Sequence, residues 1–391
     1  MRLLPLISVL AVVAAVCCLS LPSPVRALTI QFDYTYDGGF FTDPLVNPQA
    51  AEAKAALERA GKDFEMLVDN LARIEHSDAQ QNTWAARFQR PDTGAWHWEP
   101  NVVVPAATLI VYVGGRSMGA GTLAAGGPGG ADYTYTTLEW FETVTTRGQP
   151  GAAAGAETDF GPWGGWIVFN STSDWHYHTV APPMGSEADF LSTAVHELCH
   201  VLGYGTSASW DNQIPAGSLL FTGQAATAAH GGDVPMNNET GQFGPRHWAP
   251  GIESIVGTVD AQEAAMDPNL TAGTRKRLTE LDVAGLIDIG WEMPLPGDAD
   301  HDGEVEYDDY IAARNSFGSP GSWADGDSDF DGDVDVYDYL ALKRHFGMLL
   351  TGQAEPLPPG VGAVPEPTGL AILLAGAGAV FGRARRRRRG R

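Results

Sequence analysis

The stretch Phe190-Leu-Ser-Thr-Ala-Val-His-Glu-Leu-Cys-His-Val-Leu-Gly-Tyr-Gly205 decides how the rest of the chain is interpreted. Its apolar residues recur at helical spacing, whereas His196, Glu197 and His200 fall on the opposite face. Two imidazoles one helical turn apart can chelate one metal ion, and a glutamate beside the first can take a proton from metal-activated water. The pattern therefore predicts a buried helix with one reactive polar stripe.

Both ends of this helix have sequence signals. Ser186 and Asp189 have the spacing of a capping box at the start, and Gly203 and Gly205 supply a stop. Both histidines are thus expected within one continuous helix.

A catalytic metal site needs three protein ligands, and this helix supplies two of them. Six residues after the second histidine stands Thr206, and threonine is not a usual zinc ligand. The downstream candidates are His247, His230 and the carboxylate of Asp211. His230 lies in a glycine-rich segment with nothing to fix its ring, whereas Trp248 and a proline follow His247, so His247 is favoured.

The chain begins with Met1-Arg2, continues with an apolar run from Leu3 to Leu19, and leaves that run through small residues. This arrangement predicts a secretory signal peptide over residues 1–27 and therefore an exported protein of the cell envelope or the extracellular space. Removal of that segment leaves Cys199 as the one remaining cysteine, so no intramolecular disulfide is expected.

The charge balance argues against nucleic acid as a partner. The chain has 48 acidic and 24 basic residues, a formal net charge of −24. Nine of the basic residues lie in 1–27 or 368–391, which leaves 15 basic against 48 acidic residues, a net charge of −33. Such a surface favours divalent cations and repels polyanions.

The hydrophobic pattern predicts a mixed sheet with a helix packed behind it. Residues 114–165, rich in glycine, alanine and threonine, are expected to form a long loop region, and Trp166–Asn170 to serve as an edge strand that holds an extended substrate. The remaining expected elements are a strand from Thr29, a long helix over Gln49–Ile74, a strand at Ala107–Val113 and a closing helix within Arg275–Trp291.

Two further histidines, His176 and His178, alternate with aromatic residues. A second metal site is one interpretation, and surface or cleft residues are the favoured one, because no carboxylate pattern lies nearby.

Four features follow one another along the chain: the helix with Gly203, a later His247-Trp248, the Met266-Asp-Pro turn and the closing helix. In this combination the chain resembles the metzincin zinc endopeptidases, specifically the leishmanolysin-like branch. The resemblance covers roughly residues 166–291. In that branch the third histidine lies in a distant segment ahead of the methionine turn. The resemblance implies that His196, His200 and His247 bind Zn²⁺, that Glu197 is the general base, and that Met266 forms the floor beneath the metal.

A separate acidic repeat follows. Carboxylates alternate from Asp298 to Asp309 around Gly303, and the same pattern recurs 29 residues later from Asp327 to Asp338 around Gly332. Alternate carboxylates that wrap one ion, with a glycine for the sharp turn, predict two Ca²⁺ loops of the EF-hand kind. The candidate calcium ligands are Asp298, Asp300, Asp302, Glu304, Glu306 and Asp309 in the first acidic loop (298–309) and Asp327, Asp329, Asp331, Asp333, Asp335 and Asp338 in the second acidic loop (327–338).

The paired loops resemble a type I dockerin, which implies a cohesin domain as partner, with a calcium-stiffened spacer as the alternative. The end of the chain combines Val364-Pro-Glu-Pro367, an apolar stretch and seven arginines. This end resembles a PEP-CTERM sorting tail, which implies processing by an exosortase-type enzyme. The apolar stretch is shorter than the roughly 20 residues that span a bilayer, which favours transient membrane association.

Together these observations predict an α+β, metzincin-like mixed sheet with a zinc-binding active-site helix, followed by a small all-α dockerin-like calcium module. The expected activity is that of an exported zinc metalloendopeptidase acting on a protein or peptide, and the alternative is a surface matrix or scaffold protein with an inactive protease fold. The expected divisions are the signal peptide at 1–27, the protease domain at 28–293, the calcium module at 294–350, the Pro-rich linker with its Val-Pro-Glu-Pro motif at 351–367, and the apolar and Arg-rich tail at 368–391.

Overall fold

The computed structural model describes residues 26–153, 155–238, 245–258 and 260–350. Nearly all of the predicted signal peptide, the linker and the sorting tail lie outside the described residues, so these three remain predictions. Each helix of the described residues is too short or too polar to cross a membrane.

The described residues contain thirteen strands and eight α-helices, and all of the strands precede the last three helices. The strands are β1 (Thr29–Asp33), β2 (Thr83–Gln89), β3 (Trp96–Pro100), β4 (Thr108–Arg116), β5 (Ala124–Pro128), β6 (Gly130–Thr134), β7 (Gly164–Asn170), β8 (Trp175–His176), β9 (Ala188–Asp189), β10 (Leu220–Phe221), β11 (Val234–Pro235), β12 (Glu253–Val256) and β13 (Asp260–Glu263). The helices are α1 (Ala50–Lys62), α2 (Leu138–Thr146), α3 (Phe190–Val201), α4 (Ala208–Asp211), α5 (Gln224–His230), α6 (Glu280–Asp288), α7 (Tyr307–Ser316) and α8 (Val336–His345).

The main sheet is mixed, and its strand order is β1-β4-β7-β5. Strands β1, β4 and β7 are mutually parallel, and β5 pairs antiparallel to β7. The predicted mixed α+β sheet is therefore confirmed. The edge-strand prediction is wrong, because Trp166–Asn170 lies in β7, between β4 and β5. The edge strand on this side of the sheet is β5.

Strand β4 is buried on both faces, as its continuous apolar sequence requires. Leu109, Val111 and Val113 face the core shared with α1 and α3. Ile110 and Tyr112 face a second core, where a separate sheet of order β3-β2-β6 packs. Alternate side chains of β4 point to opposite faces of the sheet, so this one strand packs against two layers.

The prediction of a long loop over 114–165 is wrong, because this segment contains β5, β6 and α2. Strand β5 has the sequence Ala-Ala-Gly-Gly-Pro, which lacks the β-branched and aromatic residues that signal a strand. It forms because β7 supplies hydrogen-bonding partners along its length.

The first helix, α1, ends at Lys62, twelve residues before the predicted end at Ile74. The apolar residues that follow are buried by extended pairings. Val68 bridges Ala27 and Glu292, and Ile74 bridges Val104. The apolar composition of this segment fits a buried helix and a buried extended chain equally well. The bridges show that the segment is extended.

The predicted central helix is confirmed as α3, although its cap differs from the expected one. Asp189 is the N-cap residue, and its carboxylate accepts from the backbone N–H and the hydroxyl of Ser192. Gly203, with φ of 105°, follows the end of the helix. The closing helix is confirmed as α6, which lies within the expected segment and begins at Glu280 behind a capping box of Thr279 and Asp282.

The regular structure of the C-terminal module (294–350) is helical, with α7 and α8 each following one acidic loop. Its small core contains Val305, Tyr310, Val334, Tyr339 and Leu342. The loop glycines Gly303 and Gly332 have φ of 89° and 85°, as the predicted sharp turns require.

Candidate metal centre and cleft

Three histidine rings converge above the polar face of α3. His196 Nε2 and His200 Nε2 each lie 3.1 Å from His247 Nε2. Nitrogens that bind one tetrahedral ion at about 2.0–2.1 Å are about 3.3 Å apart, so this spacing suits a shared metal ion. The structure thus brings together the two helix histidines and the favoured third candidate.

The second ring nitrogens of the helix histidines are held by backbone carbonyls. His196 Nδ1 donates to Ala265 O and His200 Nδ1 donates to Tyr204 O, each at 2.8 Å. A carbonyl can only accept, so both Nδ1 atoms carry protons, and a neutral ring in this tautomer presents the Nε2 lone pair. A cation placed between the three Nε2 atoms could bind all three nitrogens at once.

Two of the three rings, those of His200 and His247, are also kept neutral. Burial, with contributions from the other two histidines, lowers the pKa of His200 well below its usual range. Burial, together with His196 and Arg246, lowers the pKa of His247 to about 3. Neutral imidazoles are the form that binds a metal ion.

Glu197 lies beside this cluster on α3, and 6% of its surface is exposed. Burial raises the pKa of its carboxyl to about 8, and the Gly126 backbone N–H opposes part of that rise. A carboxyl with a pKa near neutrality can both take and return a proton at neutral pH.

Asp282, on α6, organises the turn behind the histidines and was not identified from the sequence. Its carboxylate accepts from the backbone N–H groups of Ala265 and Met266 and from the indole N–H of Trp248. Ala265 is the residue whose carbonyl orients His196. The one available sequence signal was the position of Asp282 in a capping box with Thr279.

A cleft of about 620 Å³ opens above the three histidines. Its lining includes residues of β5 and just before it, residues of α3, and residues within 267–272. Met266 is fully buried behind this surface.

The other ligand candidates are engaged elsewhere. Neither His230, exposed at the end of α5, nor Asp211 belongs to the histidine group in the described residues. The hydroxyl of Thr206 donates to His200 O. Both ring nitrogens of His176 have hydrogen-bond partners, and His178 Nδ1 accepts from two backbone N–H groups. The structure therefore favours surface or cleft residues over a second metal site for this pair.

Each acidic loop also gathers carboxylates. Asp298, Asp300 and Asp302 form one group whose oxygens lie within 4.8 Å of one another, and Asp327, Asp329 and Asp338 form another. Asp309 takes the position of Asp338 in the first loop, and its carboxylate accepts from the backbone N–H groups of Ala299 and Glu306.

Several of these buried oxygens have no hydrogen-bond partner among the described residues: Oδ1 of Asp298, Oδ1 of Asp327 and both oxygens of Asp329. Burial and neighbouring carboxylates raise the pKa of Asp327 to about 9 and that of Asp298 and Asp329 to about 7. Buried carboxylates that lack donors require a cation or a proton, so these loops fit a bound cation.

The remaining predicted calcium ligands lie at the loop surface. Asp302, Glu304 and Asp333 are exposed, and Asp331 is half-buried. Glu306 and Asp335 are the N-cap residues of α7 and α8.

No family model and no curated protein matches this chain.

Proposed function

We propose that this chain is an exported zinc metalloendopeptidase. The observation that supports the proposal best is the convergence of three imidazole Nε2 atoms, two of them on rings oriented by carbonyls, beside one buried glutamate. His196, His200 and His247 would hold the ion. Three nitrogen donors with a neighbouring open cleft suit a catalytic zinc ion better than a closed structural one.

Bound Zn²⁺ would supply Lewis-acid chemistry, acidifying water and polarising a carbonyl. Glu197 would take the proton released from the attacking water and deliver it to the leaving amine. A bound cation would lower the pKa of Glu197 from its value in the metal-free site, so the carboxylate would be ionised when water arrives.

The substrate would bind along β5. Among the described residues this strand pairs only with β7, so its other edge offers backbone N–H and C=O groups to an extended peptide. Gly126 of β5 lies against Glu197, which would place the peptide backbone close to the general base. In this proposal β5, and not Trp166–Asn170 as the sequence predicted, is the edge strand that holds the extended substrate.

The test is Glu197→Ala. Glutamate is not a ligand, so the variant should retain zinc while the rate of peptide cleavage falls by about 10³-fold or more. Zinc content by atomic absorption and cleavage of a mixed peptide library measure the two effects separately. Cleavage at the wild-type rate would exclude this mechanism. Wild-type protein that carries zinc and cleaves no peptide would instead support the scaffold function.

We further propose that each acidic loop binds one Ca²⁺ and that the C-terminal module presents a face to a cohesin-type partner. The orphan carboxylate oxygens support the first statement. Exposed apolar side chains on α7 and α8 support the second: Tyr307, Val336, Tyr337 and Leu340. Titration calorimetry of the full chain should give two calcium ions per molecule, and fewer than one would exclude the loops as sites.

The proposed route to the envelope uses both ends of the chain. The signal peptide would direct export, and the tail at 368–391 would be removed after recognition by an exosortase-type enzyme. Mass spectrometry of the mature protein should find a C-terminus near Pro367. Recovery of intact Arg391 would favour simple anchoring.

A further inference from the structure

The C-terminal module packs directly on the N-terminal domain (28–293). Trp323 is 3% exposed and belongs to the same hydrophobic core as α1, α3 and α6. Arg59 of α1 donates to the backbone oxygen of Gly321 at 2.8 Å. His301, in the first acidic loop, is buried and interacts with the backbone of Glu65. The module therefore shares a core with the catalytic domain instead of being held by its linker alone.

The second acidic loop makes the closest approach. A Cβ placed on Gly332 would lie 1.5 Å from Arg277 Nη1, so the guanidinium occupies the space that a side chain would fill. A Cβ placed on Gly257, in the turn between β12 and β13, would lie 2.9 Å from Asp331 Cβ. This packing requires the folded loop conformation, because both contacts involve residues inside the loop, the candidate ligand Asp331 and the turn residue Gly332.

Arg277 belongs to the segment 275–277, whose other residues contact the start of α3 and the lining of the cleft. Arg275 forms a buried ion pair with Asp189, the N-cap of α3. The backbone N–H of Lys276 donates to Ser192 Oγ, and its ammonium donates to Asn269 O in the cleft wall. Gln262 of β13 donates to the backbone oxygen of Arg277.

We propose that the C-terminal module is a calcium-dependent brace on the catalytic domain. Calcium in the second acidic loop would keep that loop in the conformation that packs on Arg277 and Gly257. The segment 275–277 would transmit this order to the start of α3 and to the cleft wall. Without the ion, the carboxylates of the loop repel one another, the loop loses its shape, and the brace is released.

The two loops give this proposal an internal control. Asp329 and Asp300 occupy the same position in the pattern, and Asp329 lies in the loop that packs on Arg277 and Gly257. The proposal depends on the calcium sites and is independent of peptidase activity, so amide hydrogen exchange of the full chain can test it without substrate.

In saturating calcium, Asp329→Asn should raise exchange about tenfold or more in residues 252–263 and 275–279, and Asp300→Asn should change it much less. A chelator should reproduce the Asp329→Asn pattern in wild type. Equal effects of the two variants on these segments would overturn the proposal. A chelator response confined to 294–350 would overturn it while leaving the calcium sites intact. No response in either region would refute the calcium sites and the brace together.

Discussion

Trp248 fixes the position of the third histidine. Its side chain is fully buried, its indole N–H donates to Asp282, and its backbone N–H donates to Met266 O. His247 is therefore attached to the same turn that orients His196 through Ala265. His230, by contrast, is exposed at a helix end next to Gly231.

This difference predicts the outcome of two matched substitutions. His247→Ala should weaken zinc binding by more than about 100-fold, since loss of a ligand exceeds the usual effect of losing a supporting group. His230→Ala should leave it close to wild type. Competition with a chromophoric chelator measures both constants, and the reverse order would invalidate the ligand set while preserving the two-histidine helix.

Asp282 provides a second comparison, because α6 also carries Asp288. Asp282 serves the turn behind the histidines, whereas Asp288 accepts from the backbone N–H groups of Ala225 and Ala226 at the start of α5. Asp282→Asn should lower zinc affinity by about 10–100-fold and destabilise the fold by roughly 1–3 kcal/mol. Asp288→Asn should destabilise without changing zinc affinity. Identical zinc affinities for both variants and wild type would show that Asp282 is structural only.

At the level of the element, sequence predicted helices with caps and a strong period better than it predicted strands. Helix α3 has apolar spacing, a cap and a glycine stop, all within one segment. Strand β5 has none of these, because Gly126 allows close approach to α3 and the small residues of the strand leave no hydrophobic pattern. The small residues that let β5 line the cleft are therefore also the reason why the sequence did not predict it as a strand.

The ligands followed a similar division. His196, Glu197 and His200 could be placed from local spacing alone. His247 depended on order along the chain and on resemblance, and Asp282 depended on contacts that only the folded chain reveals. The two acidic loops were predictable because each site is built within twelve consecutive residues.

Because β5 lies close to α3, we expect two neighbouring glycines of β5 to differ in how well they tolerate a larger side chain. A Cβ on Gly126 would lie 3.1 Å from Glu197 Oε2 and from Glu197 O, whereas a Cβ on Gly127 would meet nothing within 4 Å. Gly126→Val should lower kcat/KM by about tenfold or more by displacing the general base, and Gly127→Val should remain near wild type. Equal activities of the two variants would show that the contact with Gly126 does not determine the position of Glu197.

At the scale of the whole molecule, buried acidic groups cluster in the C-terminal module, which shares a core with the N-terminal domain through Trp323. The module therefore links the stability of the full chain to cations and protons. In the metal-free form, the folded-state pKa of Asp327 is about 9 and those of Asp298 and Asp329 are about 7, against about 3.9 for an unfolded aspartate.

Between the unfolded and folded pKa values, the folded chain binds more protons than the unfolded chain, so its stability falls as pH rises. In a chelator, the free energy of unfolding should therefore decrease from about pH 5 to about pH 8. Excess calcium should abolish most of that decrease, because the bound ion replaces the protons. Urea denaturation at each pH measures the slope. Asp329→Asn should reduce the slope in chelator, and exposed Asp300→Asn should not. A free energy of unfolding that rises with pH in chelator would show that these carboxyls are not held unpaired in the folded chain.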